Sequence, residues 1–132
     1  VDAQVSTVVQ FRAIDYGMEN CSVALVSAAM DVELDVWALA DDTAPPGRRL
    51  LDPRTLTWAS RPERKAHVGV LRVAAAAADG ASGETRTFAC PSGSYHTLEI
   101  ACASMHRCDV DILGVGHGAS GAFPPFLFYC TP

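Results

Sequence analysis

The sequence predicts an all-β domain, two antiparallel sheets stacked as a jelly-roll-like β-sandwich of about nine strands. Three features lead there: short runs with apolar residues at every second position, clusters of turn-forming residues between them, and the lack of a long helical pattern. The runs, in order, are "VVQFRAID" (8–15), "CSVALVS" (21–27), "DVELDVWAL" (31–39), "TLTW" (55–58), "HVGVLRV" (67–73), "TRTFAC" (85–90), "YHTLEIAC" (95–102), "CDVDILG" (108–114) and "PFLFYC" (125–130). Between them stand "DYGMEN", "DDTAPPG", "ADGASG", "CPSGS" and "GVGHGASG", rich in the Gly, Pro, Asn and Asp that tight turns require. The alanine run at 74–78 has no large apolar side chain with which to anchor a helix.

Alternation assigns faces. In the first run Val9, Phe11 and Ala13 point inward while Gln10, Arg12 and Ile14 point out. In the second, Cys21, Val23 and Leu25 share a face. In the third, Val32, Leu34, Val36 and Ala38 face the core, and Glu33, Asp35 and Trp37 the other side. In "CDVDILG" a slip of one residue would drive Asp109 and Asp111 into the interior. No repeat and no linker divides the chain, so residues 1–132 read as a single domain.

Composition narrows the function classes. The 132 residues are 49% hydrophobic and 19% charged, which suits a globular chain with a core. The net charge of −5 repels phosphate backbones and argues against a nucleic-acid partner. No apolar run approaches the roughly 18 residues that span a bilayer as a helix, so no membrane span is expected. A start at Val1, without Met, suits a processed mature end, and five cysteines beside a single lysine suit an oxidising compartment, secreted or at the cell surface. Cys102 and Cys108 close a short loop between two strand runs and are the expected disulfide, with Cys21, Cys90 and Cys130 left unassigned.

The stretch "VELDVWALADDTAPPGRRLLDPRTLTWASRP" (32–62) resembles the middle of DNRLRE-type carbohydrate-binding modules, in which a strand "LxVYxV" is followed by a loop and "TLTWNNRP". Leu34, Val36 and Trp37 match the strand; Thr55, Leu56, Thr57, Trp58, Arg61 and Pro62 match the second motif, with Ala59 and Ser60 in place of its Asn pair. "VQFRAID" is similar to the family's early "YLRFDLS", and "PPFLFYC" takes the place of its "RPQLVV" ending. The cysteine-rich second half resembles secreted or surface β-sandwich proteins of fungi. The resemblance implies a jelly-roll fold and a carbohydrate partner.

Candidate site residues follow from residue chemistry. Sugar sites combine an aromatic platform with planar hydrogen-bonding groups. Trp37 beside Asp35 and Glu33 is the first candidate, the alternative being a place in a second core layer. Tyr95 is secondary, as are His96 and Tyr16. Trp58 is read as the end of a short strand closing one end of the sandwich, with Arg61 stacked on its ring or bonded to loop carbonyls and a binding edge as the alternative. "NCS" makes Asn20 a formal N-glycosylation acceptor. Asp41 and Asp42 suit a structural calcium or a solvated acidic loop. Cys102, His106, Cys108 and Asp109 have the ligand types of zinc but no recurrent spacing.

Catalysis has little support. His67, His96, His106 and His117 are scattered, no nucleophile elbow occurs, and His96 and Glu99 fall on opposite faces of one strand. The expectation is therefore a non-catalytic, lectin-like secreted or surface protein. A structural, self-assembling fungal surface protein, with edge strands and "FPPFLFYC" making contacts between copies, is the second reading, and a small hydrolase the third.

Overall fold

The structure, a computed structural model, describes residues 5–26, 32–40, 52, 54–73, 82–103 and 126–132. Among these residues the chain is all-β, without a helix, in eight strands: β1 (Thr7–Arg12), β2 (Asn20–Val26), β3 (Val32–Leu39), β4 (Arg64–Val73), β5 (Ser82–Glu84), β6 (Phe88–Ala89), β7 (Tyr95–Cys102) and β8 (Phe126–Thr131). They form two antiparallel sheets, one in the order β1-β7-β3-β4, the other in the order β5-β2-β6 with β8 also paired to β2.

About nine strands were expected, and three differences account for the eight observed among the described residues. "TLTW" is no strand: residues 54–60 fold into successive turns. Local polar groups capture its backbone. Arg54 donates its N–H to the Asp52 carboxylate at 2.9 Å, Thr57 donates its N–H to Ser60 Oγ at 2.9 Å, and Ser60 Oγ donates to the Thr55 carbonyl at 3.0 Å. Side chains that satisfy the main chain locally compete with a sheet ladder, and here they win. The short β5 arises where the sequence reads as a turn, and "CDVDILG", with Asp109 and Asp111, lies outside the described residues, as do Asp41, Asp42, His106, Cys108 and His117.

β5 and β6 are one broken strand along β2. The register runs Ala24↔Glu84 on one side of the break and Cys21↔Phe88 on the other, which differ by one residue. A bulge of this kind leaves ladder groups unpaired. Thr85 repairs it: its N–H donates to the Val23 carbonyl at 2.9 Å, and its hydroxyl accepts the Val23 N–H at 3.0 Å.

The two sheets meet through one apolar cluster. Leu34 and Val36 of β3, Leu71 of β4 and Leu98 and Ile100 of β7 pack with Val23 of β2, all essentially without solvent contact, and Val9, Phe11, Ala38, Val68 and Phe88 pad the rim. On β1, Val9 and Phe11 pack against this core, and just past the strand Ala13 is buried and Ile14 exposed, as alternation expects. Parity holds over Glu33–Trp37 of β3, and it breaks at the register shift after Ala38, where Leu39 is buried. β2 departs from it: Ser22 and Ala24 are as buried as Cys21 and Val23. Both faces of β2 are buried over Cys21–Ala24, and its edges are paired with β8 on one side and with β5 and β6 on the other.

Cysteine placement follows the register. Cys21 stands opposite Cys130 and also reaches Cys90, while Cys102 is disulfide-bonded.

Candidate functional site

The outer face of the four-stranded sheet gathers the polar chemistry. Alternation on β3 sends Glu33, Asp35 and Trp37 to the side opposite Leu34 and Val36, as the sequence predicts. A register slip against β4 then matters. Val36 pairs with Gly69, yet Trp37 pairs with His67, so Val68 is skipped and an imidazole is brought opposite the indole. The two rings lie 4.6 Å apart, and His67 Nε2 sits 2.8 Å from Asp35 Oδ1. Farther along, Glu33 pairs with Arg72 across the strands.

On the other side of β3, Glu99 of β7 stands opposite Trp37. Its position between Leu98 and Ile100 makes it outward-facing, but it is fully buried. The segment leading into β4 covers it. Arg64 Nε donates to Oε2 at 2.7 Å and Arg64 Nη2 to Oε1 at 3.0 Å, a two-pronged grip, while Arg61 Nη1 donates to Oε1 at 3.1 Å. A hydrogen bond from Arg64, aided by one from Ser6 and by the charges of both arginines, holds the carboxyl below its usual range against the opposing effect of burial. The same contact raises the Arg64 pKa.

Both arginines also meet an indole. The Arg61 guanidinium lies 3.7 Å over the Trp58 ring and that of Arg64 5.0 Å over Trp37. The order Trp58, Arg61, Glu99, Arg64, Trp37 is thus one continuous chain of contacts, with a buried carboxylate at its centre and an aromatic at each end. The ends differ. Trp37 is half-buried, engaged by Arg64 and His67, whereas Trp58 is 64% exposed. Trp58 therefore does not close an end of the fold. The stacking expected of Arg61 is present.

A cavity of about 500 Å³ opens between the two sheets at one end, where the end of β3 and the starts of β4 and β7 meet residues 86–89. Leu39, Phe88 and Leu98 form apolar wall, and Lys65, His67, Arg86, Tyr95 and His96 supply polar groups. Tyr95 has the Arg12 guanidinium 5.6 Å over its ring. His96 faces inward, its Nε2 2.7 Å from Ser94 Oγ and its ring 5.6 Å from Phe88. Burial lowers its pKa, so the neutral ring is favoured. It stays on the opposite face from Glu99, as parity predicts.

The remaining candidates are dispersed. Tyr16 projects from a turn, 92% exposed, and Asn20 begins β2 with its side-chain amide donating to the Pro132 carbonyl at 3.0 Å. Sequence reasoning missed Glu99 as an anchor and Arg64 and His67 as partners. The signal was available in a glutamate flanked by two core-facing residues and an arginine-rich "RPER" four positions after a tryptophan-bearing turn's start.

Comparison with family models, curated proteins and solved structures gives no match to this chain. Among the described residues no helix is long and apolar enough to cross a membrane.

Proposed function

We propose that this chain is a non-catalytic carbohydrate-binding domain of the jelly-roll sandwich class, secreted or at the cell surface, with Trp58 as the sugar platform. One observation carries the reading: a large aromatic stands 64% exposed while the arginine on its face is tied to a fully buried glutamate. An indole exposed to water costs solvation free energy, and a carboxylate taken out of water costs more. Fixing one to the other makes sense when the ring's orientation matters. A pyranose presents a face of C–H groups that stacks on indole, and a platform already ordered loses little entropy on binding. Along β3 and β4 on the same sheet, the His67–Asp35 and Arg72–Glu33 pairs are planar, charged groups of the kind that hydroxyls bond to. Resemblance to DNRLRE-type modules over residues 32–62 agrees with this reading, and disulfide-bonded cysteines agree with an extracellular setting.

The test is a glycan array followed by calorimetry on the best ligand. Trp58→Ala is expected to weaken binding by about tenfold or more, equivalent to roughly 1.4 kcal/mol, with an unchanged far-ultraviolet spectrum. An array without a hit, or equal affinity in the variant, overturns the proposal.

A further inference from the structure

We propose that Cys21, Cys90 and Cys130 form a thiol–disulfide exchange centre, in which the sulfur of Cys21 is shared in turn between two partners. The three Sγ atoms all lie within 4.8 Å of one another. Cys21 is in disulfide contact with Cys90 and with Cys130, and Cys90 and Cys130 are 3.8 Å apart. A sulfur in a disulfide has one sulfur partner. Whichever bond exists, the third cysteine is a thiol in contact with it, which is the arrangement that exchange needs.

The backbone ranks the two isomers. Cys21 and Cys90 have Cα atoms 5.9 Å apart, well inside the range disulfides usually occupy, whereas Cys21 and Cys130, directly opposed on β2 and β8, are at 4.1 Å, just below its lower edge of about 4.4 Å. The Cys21–Cys90 bond is thus the resting one and the Cys130 thiol the resting nucleophile. Burial agrees with these roles. Cys21 and Cys90 have no exposure, while Cys130 is only half-buried, the most accessible of the three.

The step balances without an added oxidant or reductant. Cys130 gives up its proton, and its thiolate attacks Sγ of Cys21. The Cys21–Cys130 bond forms as the Cys21–Cys90 bond breaks, and Cys90 leaves as a thiolate that takes up a proton. Its thiol then has an acceptor at hand, the Met18 carbonyl 3.9 Å away. Exchange moves the covalent staple on β2 from the residue following β6 to β8.

Wild-type protein is quenched in acid, denatured, alkylated with N-ethylmaleimide and mapped as non-reduced peptides. Both disulfides are expected, Cys21–Cys90 in the majority, with one alkylated cysteine among the three. Cys90→Ser is expected to retain a Cys21–Cys130 bond, and Cys130→Ser a Cys21–Cys90 bond. A single isomer in the wild type overturns the proposal, and this readout needs no variant to fold. So does a third sulfur bonded to a second copy, or three thiols recovered with stoichiometric zinc by elemental analysis.

Discussion

Glutamine in place of Glu99 tests the centre of the site. The change keeps the side chain's size and one acceptor oxygen but removes the charge that two guanidiniums face. Breaking a fully buried ion pair from one side costs about 3–5 kcal/mol, because the partner charge is stranded. Here the Arg61 and Arg64 side chains keep 29% and 36% of their exposure, so water recovers part of that loss. The expected cost is therefore about 2–3 kcal/mol, or roughly 6–10 °C in Tm for a domain of this size. Thermal unfolding followed by circular dichroism at pH 7 reads it directly. Moderate salt should change the difference little, since the carboxylate is shielded from mobile ions. A double-mutant cycle with Arg64→Met should return a coupling above about 1 kcal/mol. A Tm drop under about 1 °C, or strict additivity in the cycle, would refute the claim that this contact holds the covering segment down.

Two titrations should shape stability in acid, both with folded pKa values depressed. For His96 the stabilising effect is complete above the ordinary imidazole value and is lost as pH falls below about 6.5, because the unfolded chain takes up the proton first. For Glu99 it is complete above the ordinary carboxylate value and is lost as pH falls below about 4.3 toward the lowered folded value. Urea midpoints between pH 8 and 3 should fall in these two stages, with His96→Phe reducing only the upper one; a flat profile would contradict both. Leu34→Ala, in the middle of the shared core, should cost about 2–5 kcal/mol in urea denaturation. Gly17→Ala forces a side chain into a turn position at φ 81° and should cost about 1 kcal/mol, measured in the same way.

The strands that carry one buried face were legible in the sequence, and for a plain reason. On β1 and β3 the side-chain period is two and one side is solvated, so Phe11, Ala13, Leu34 and Val36 announce their direction by alternating with Arg12, Ile14, Glu33 and Asp35. β2 was less so, since enclosure on both faces leaves Ser22 as buried as Val23, and alternation carries no information there. "TLTW" misled because Thr and Trp favour strands, whereas the decisive forces were the hydrogen bond that the Asp52 carboxylate accepts from the Arg54 N–H and the one that the Ser60 hydroxyl donates to the Thr55 carbonyl.

The site was harder to read for a different reason. Parity fixes the side of a sheet on which a residue emerges; it says nothing of what lies above it. The sequence puts Glu99 on the face opposite His96, as observed, but does not show that it is fully buried, because Arg61 and Arg64 come from a segment some 35 positions earlier and lie across it. That coverage depends on two events no local pattern encodes: the turns at 54–60, and the register slip that sets His67 rather than Val68 opposite Trp37. Once both are in place, the roles of the tryptophans separate. Trp37 is engaged by Arg64 and His67, whereas Trp58 meets Arg61 on one side, stays exposed on the other, and is the proposed platform. If this division is right, Trp37→Ala should lower Tm well beyond Trp58→Ala, while only the latter spares the fold and removes binding; equal losses of stability in the two variants would show that Trp58 is packing rather than platform.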